Sequence, residues 1–246
     1  MKDIIVDIVK QTAGLGTIEC LKITGTPQET AIAAIDPDKT VVINAKLHNP
    51  STDFVGEFGM GNLSFLNGVC SMYSRDGATA SVTKTQRNGV DVPEHIIFND
   101  TDGNSDKYRL MSKEIVDAQI EVVKFKGAKW DVTFEPTKAK VQELAQAASI
   151  YGSIEPTFTF KAENGNLMVV LGSDTGGSHF GKRTFANNVG TGLRDGLTFP
   201  LTQFLSILKL GMSGVCAVSI SNQGACQISV DTGIGLYNYI LPALTR

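Results

Sequence analysis

Apolar residues recur along the chain with two different periods. Four segments carry the spacing of a helix with one buried face. In residues 2–13, Ile4, Ile5, Ile8 and Val9 share a side, although their β-branched character also suits a strand. Residues 62–73 align Leu63, Leu66, Val69, Cys70 and Tyr73. Residues 137–150 align Val141, Leu144, Ala145 and Ala148, with Pro136 just before them in the place that favours a helix start. Residues 200–210 align Leu201, Phe204, Leu205 and Leu208.

Between these helices the pattern alternates with period two, as half-buried strands require. Strands are expected at 17–24, 30–35, 41–47, 80–85, 130–134, 157–161, 167–171, 215–221, 225–231 and 236–241. Each half of the chain therefore reads helix, strands, short helix, strands. A Phe-Leu step occurs at 65–66 and again at 204–205, and the first helices of the two halves lie at a similar offset, so the pattern is written twice. The polar run 99–106 reads as a loop or linker. The expected class is α+β: two similar domains, 1–105 and 128–246, joined by a connector at 106–127, each with two helices packed on a curved antiparallel sheet.

Composition narrows this picture. A chain of 246 residues with 42% hydrophobic and 19% charged residues is an ordinary globular sequence long enough for two cores. The 25 glycines fit many tight turns. A formal net charge of −3 excludes a protein that wraps nucleic acid with its whole surface, so any DNA contact must come from a local arrangement of charge. No apolar run is long enough for a transmembrane helix, and acids at positions 3 and 7 argue against a signal peptide. None of Cys20, Cys70, Cys216 and Cys226 forms a C-x-x-C pair. Counting outward from a turn at 221–224 sets Cys226 opposite Ser219 and not Cys216. The four therefore read as buried free thiols of a reducing compartment.

Three signals invite enzyme readings and fall short. Residues 176–182 have the G-x-x-x-x-G-K spacing of a phosphate-binding loop, but Arg183 stands where a magnesium-holding Ser or Thr belongs, and turn formers follow where a helix is needed. His48, His95 and His179 show no metal-ligand spacing. No G-x-S-x-G elbow is present, although a Ser-His-Asp triad assembled only in space stays open at the sequence level. Trp130 reads as a core residue. No catalytic residue, metal or cofactor is expected.

The C-terminal run FPLTQFLSILKLGMSGVCAVSISNQGACQISVDTGIGLYNYILPAL, 199–244, resembles the last helix, hairpin and closing strand of the ring-shaped DNA sliding clamps. Its ending, Leu236-Tyr237-Asn238-Tyr239-Ile240-Leu241-Pro242, is similar to the tyrosine-bearing strand and proline of proliferating cell nuclear antigen. The N-terminal helix start and the segment KYRLMSKEIVDAQIEVVKFKGAKWDVTFEPTKAKVQ, 107–142, are closer still to clamps of T-even-type phages. The first half lacks a strand equivalent to 130–134 ahead of its helix, and the phage clamps share that lack. The resemblance implies the DNA clamp fold, homotrimers closing into a six-domain ring around duplex DNA, and no enzymatic activity. It further implies opening by an ATP-dependent clamp loader, docking of the replicative DNA polymerase through a short peptide, and a platform for late transcription factors. The setting it implies is the cytoplasm of an infected bacterium, with no membrane partner.

Site residues follow from that resemblance. Lys and Arg outnumber Asp and Glu by three across the four helical segments when the second is carried on to Arg75, against the chain's net −3. On charge alone these are ordinary solvated helix faces. The resemblance assigns Lys2, Lys10, Arg75, Lys138, Lys140 and Lys209 to a DNA-facing surface of diffuse phosphate attraction without base readout. Ser64, Asn67, Ser71, Gln142, Gln146, Gln203 and Ser206 fill the rest of the polar faces. It assigns Tyr239, Leu241 and Pro242 to a partner-peptide pocket beside 106–118. A strand that merely closes a sheet is the alternative for these three. The subunit edges are expected at 80–85 and 178–186. A viral structural ring or tube built by edge-strand pairing is the competing function.

Overall fold

The structure, a computed structural model, describes residues 1–87, 89–120, 127–173, 179–190, 192–193 and 196–244. The chain divides into two units: Met1–Lys124 with Thr232–Tyr237, and Phe125–Asp231 with Asn238–Arg246.

Unit 1 contains, in chain order, α1 (Lys2–Thr12), β1 (Cys20–Gly25), β2 (Thr30–Ile35), β3 (Val42–Leu47), β4 (Gly56–Gly61), α2 (Leu63–Met72), β5 (Thr79–Arg87), β6 (Val90–Asn99), β7 (Ser105–Arg109), β8 (Met111–Ser112) and α3 (Lys113–Gln119). One antiparallel sheet runs β8-β4-β1-β2-β3 and a second runs β5-β6-β7. The β-branched segment at the N-terminus is helical because Ile5, Ile8 and Val9 fall on one face and are buried together. Asp3 in its first turn and Lys10 in its last suit the helix dipole. α2 packs beside α1 and buries Leu63, Leu66, Val69 and Cys70, the face its periodicity indicates. Phe54, Phe58 and Phe98 fill the core beneath.

Unit 2 contains β9 (Val132–Phe134), α4 (Lys138–Tyr151), β10 (Thr157–Glu163), β11 (Asn166–Gly172), β12 (Phe180–Ala186), β13 (Leu197–Pro200), α5 (Leu201–Gly211), β14 (Val215–Ser221) and β15 (Ala225–Asp231). The last strand, β16 (Gly235–Pro242), contributes its first residues to unit 1 and the rest to unit 2. One sheet runs β12-β11-β10-β13, while β14 pairs with both β15 and β9. Asn238 of β16 bonds to Ser229 and Gln227 of β15. A cluster of Phe158, Phe160, Phe185, Phe199 and Phe204 joins α5 to this sheet, with ring centroids 4.8–6.2 Å apart. α4 buries Val141, Leu144 and Ala147. The expected partners Ala145 and Ala148 are only half-buried, because they rim a groove against α5 and do not face the sheet. The N-cap of α4 is Thr137, whose hydroxyl accepts from the Lys140 N–H, one residue after Pro136.

Three sequence expectations change. The β14–β15 hairpin closes on the pair Ser221–Ala225, around a three-residue loop with Gly224 in the left-handed region. This shifts the count by one, so Cys226 faces Ile220 and Cys216 faces Val230. All four cysteines are free, and burial pushes the Cys70 and Cys216 thiols up to about 11. The polar run near 100 is a tight turn joining β6 to β7, not an interdomain linker. The Asp100 carboxylate accepts the N–H groups of Asp102 and Asn104 and so builds the turn. Trp130 is half-exposed and lies outside the core. Connector residues 121–126 lie outside the described residues. Among the described residues, no helix is long and apolar enough to cross a membrane.

A polar junction ties the first helix of unit 1 to the segment that returns to it from the end of the chain. The Asp7 carboxylate of α1 accepts from the Tyr237 hydroxyl at 2.8 Å and the Thr232 hydroxyl at 3.0 Å. Tyr237 is fully buried, so removing Asp7 takes a charged acceptor away from a desolvated O–H. Asp7→Ala should therefore destabilise the protein by about 2 kcal/mol, read as a lower midpoint in urea unfolding. An unchanged midpoint would show that water replaces the carboxylate.

Candidate nucleic-acid interface

Each helix pair buries one stripe and leaves a polar one, so the cations expected on those stripes can be placed individually. In unit 1, Lys2 stands at the start of α1 and its ammonium donates to the Arg75 carbonyl at 3.1 Å. That contact brings two of the six expected cations together just past the end of α2. Lys10 is exposed on the last turn of α1. In unit 2, Lys138 is exposed on the first turn of α4, while Lys140 is half-buried and pairs with Glu143 at 2.7 Å. Lys140 is thus partly neutralised by its own helix. Lys209 is exposed on the last turn of α5 and borders the groove lined by Ala145, Ala148, Ser149 and Gly152 of α4. At 1.5 Å per residue, Lys138 and Ser149 lie about 16 Å apart along α4, so Lys209 stands at the far end from Lys138 and Lys140, which share the first turn. The remaining polar face is short and neutral: Gln142, Gln146, Ser149, Thr202 and Ser206. Such a surface can attract phosphates weakly and without regard to sequence, but it presents no built anion site.

Two sheet edges carry apolar flanks: β12, within the expected edge 178–186, and β7, at the opposite side of its sheet from the expected 80–85. β7 ends the sheet β5-β6-β7, and α2 lies along it. Phe65 stacks on Tyr108 of β7, with centroids 6.4 Å apart, and the Tyr73 hydroxyl donates to Asp106 of β7 at 2.8 Å. Phe65 and Met72 are nevertheless 52% and 62% exposed. In unit 2, β12 ends the sheet β12-β11-β10-β13. The Tyr151 hydroxyl of α4 donates to the Phe180 carbonyl of β12, and the Arg183 guanidinium sits over the Tyr151 ring. Beside it Ile150, Ile154 and Phe180 remain exposed. The sequence signal was present for α2, since Phe65 and Met72 lie seven residues apart, off the buried face.

A cleft of about 770 Å³ in unit 1 also escaped the sequence reading. Ile35, Asp36, Pro37 and Lys39 of the β2–β3 turn form one wall, Glu19, Cys20 and Asn62 the floor, and Asp117, Ala118 and Gln119 of α3 the other wall. The phosphate-loop spacing does not become a site within the described residues. Residues 176–178 lie outside them, and Lys182 belongs to β12, where it pairs with Glu163 at 2.7 Å and no helix follows. Among the described residues no cluster of His, Cys, Asp or Glu could hold a metal.

No protein-family model matches the chain, and no curated protein matches it in sequence. Solved structures do match. Proliferating cell nuclear antigen of Entamoeba histolytica superposes with a TM-score of 0.70 at 12% identity, over 99% of this chain and 96% of that one. The Thermococcus kodakaraensis clamp gives 0.70 at 12% identity, over 99% and 97%. The A. fulgidus clamp, solved with the C-terminal region of FEN-1 bound, gives 0.67 at 10% identity, over 100% and 97%. The chain has the sliding-clamp fold.

Within this clamp fold the expected partner pocket takes a different form. Tyr239 and Leu241 are fully buried, because β16 is covered on both faces where Tyr239, Ile240 and Leu241 follow one another. Neither presents a surface to a peptide, and only Pro242 of the three is exposed. Tyr239→Ser and Leu241→Ser should therefore act on folding, each costing about 3–5 kcal/mol in chemical denaturation. Pro242→Ala should leave the unfolding midpoint within about 0.5 kcal/mol of the parent. Stability unchanged by Tyr239→Ser would return that side chain to the surface.

Proposed function

We propose that this chain is a DNA sliding clamp, a non-enzymatic ring that encircles duplex DNA and tethers a replicative DNA polymerase. The observation that carries the reading is the match of nearly the whole chain to clamps from an archaeon and a eukaryote at TM-scores near 0.7. The placement of Lys2, Lys10, Lys138, Lys140 and Lys209 on helices, with Arg75 just past the end of α2, supports it, since a sliding contact needs weak attraction to phosphates and no base readout. Processivity then comes from topology and not from affinity.

Assembly follows from the two edges. A strand end with exposed apolar flanks is a ready site for another chain. Pairing β7 of one copy with β12 of the next would cover Phe65 and Met72 on one side and Ile150, Ile154 and Phe180 on the other. The two surfaces differ, so the contact is head-to-tail and can close a ring. A homotrimer is the proposed closure. An ATP-dependent loader would open it, and a partner peptide would dock in the cleft between the β2–β3 turn and α3. The resemblance of 107–142 to T-even-type clamps supports a phage origin, late-transcription partners and the cytoplasm of an infected bacterium as the setting.

Native mass across a dilution series tests the reading. A closed trimer should appear at about 79 kDa, three times the 26.3 kDa chain, and shift to smaller species on dilution. Phe65→Asp should move that dissociation to concentrations at least about tenfold higher, as expected when a buried apolar anchor is replaced by a charge. A monomer at all concentrations would remove the ring, and open-ended polymers would favour a structural tube. Replacing all six cations by Ala should reduce polymerase processivity on primed circular DNA most at low salt, with the difference from the parent shrinking as salt screens the phosphate contacts. Normal processivity at every salt concentration would remove the DNA-facing assignment.

A further inference from the structure

Four side chains in unit 1 close a square of alternating charge. The Lys22 ammonium of β1 reaches Glu57 of β4 at 2.7 Å and Asp117 of α3 at 2.6 Å. Lys113 of α3 reaches the same two carboxylates, at 3.0 Å and 2.5 Å. Each cation touches both anions. Lys22 is the enclosed corner, with 11% of its side chain exposed, and the other three stand partly in water. Hydrogen bonds from Lys22 and then Lys113 hold the Glu57 carboxyl below its usual range, and the same two groups in reverse order do so for Asp117. Burial pulls the Lys22 ammonium down, but its bonds to Asp117 and Glu57 outweigh that and raise it.

The helix that supplies two of these corners has little else to hold it. α3 is seven residues long, too short to persist alone. Within it only Val116 is buried, seated on Gly59 so closely that a Cβ there would stand 2.7 Å from its methyl. Ile120 follows, its N–H donating to the Val116 carbonyl at 2.8 Å. The last turn of α3 is one wall of the 770 Å³ cleft, yet Lys22, Glu57 and Lys113 do not line that cleft.

We infer that this charge square is an ionic latch: it holds α3 against β1 and β4, thereby maintains the cleft wall, and lets α3 detach as a unit while the sheet stays intact. Lys22 is a positioning residue for a cleft it does not touch. The inference does not depend on the clamp reading.

Hydrogen exchange of the full chain, followed by mass spectrometry at constant pH, tests it. Between about 0.05 M and 1 M salt the screening length falls to about 3 Å, short enough to weaken the half-exposed corners. Exchange across 113–120 should accelerate about tenfold at high salt and again in Lys22→Met, with β1 and β2 unchanged, the pattern of a local opening. Lys22→Arg should restore protection. Should Lys22→Met fail to fold, Lys113→Gln at an exposed corner reads the same quantity. Exchange in 113–120 indifferent to salt and to these substitutions would overturn the latch, as would an equal acceleration in β1 and β2.

Discussion

Burial of a helix pair against one sheet face is the interaction on which both units rest. The chain is poor in aromatics, so each core draws on a few large groups: Phe54, Phe58 and Phe98 in one unit, and five mutually packed phenylalanines in the other. Every helix spends one stripe on that core. The opposite stripe is then released from packing and can carry whatever chemistry the surface requires. Here it carries isolated lysines among serines and glutamines, and one of those lysines is already paired with Glu143. In the proposed clamp the thinness of the charge has a physical sense: a surface that held DNA in place would concentrate its cations, and one that let DNA pass would not.

The same economy explains the edges. A sheet backed by a single helix layer has two ends, and each end leaves backbone donors and acceptors unpaired. Some edges in this protein are blunted by ordinary devices. β5 carries Lys84 and Arg87 and shifts register at Thr83. β7 and β12 also carry cations, Lys107 with Arg109 and Lys182 with Arg183, but they are flanked in addition by Phe65 and Met72 or by Ile150, Ile154 and Phe180. Apolar flanks beside an open edge are a liability in a monomer, and they become intelligible where another chain covers them.

How much of this was legible in sequence follows from how regular each element's burial is. α1, α2, α4 and α5 each have one buried face, and their periodicity placed them within a residue or two of their observed ends. β14 and β15 alternate cleanly and read directly. β4 was invisible because GEFGMG replaces alternation with glycines, one of which exists to admit Val116. β6 was hidden by Pro93, and α3 is too short to show a period. The site was harder. The resemblance set Tyr239 and Leu241 in a pocket, with a strand that merely closes a sheet as the alternative, and β16 buries Tyr239, Ile240 and Leu241 in succession. The cleft is assembled from segments distant in sequence, and no local pattern announces it.

The division of β16 has a consequence for biosynthesis. Asp7 meets its partners Thr232 and Tyr237 only after nearly the whole chain has left the ribosome. At about 5–20 residues per second, the N-terminal unit waits roughly 5–20 s after its own last connector residue for the strand that completes it. During that interval α1 lacks the two hydroxyl partners of Asp7. The protein is thus finished from its tail, and a nascent chain halted short of residue 237 exposes an incomplete first unit, however much of that unit has already been made.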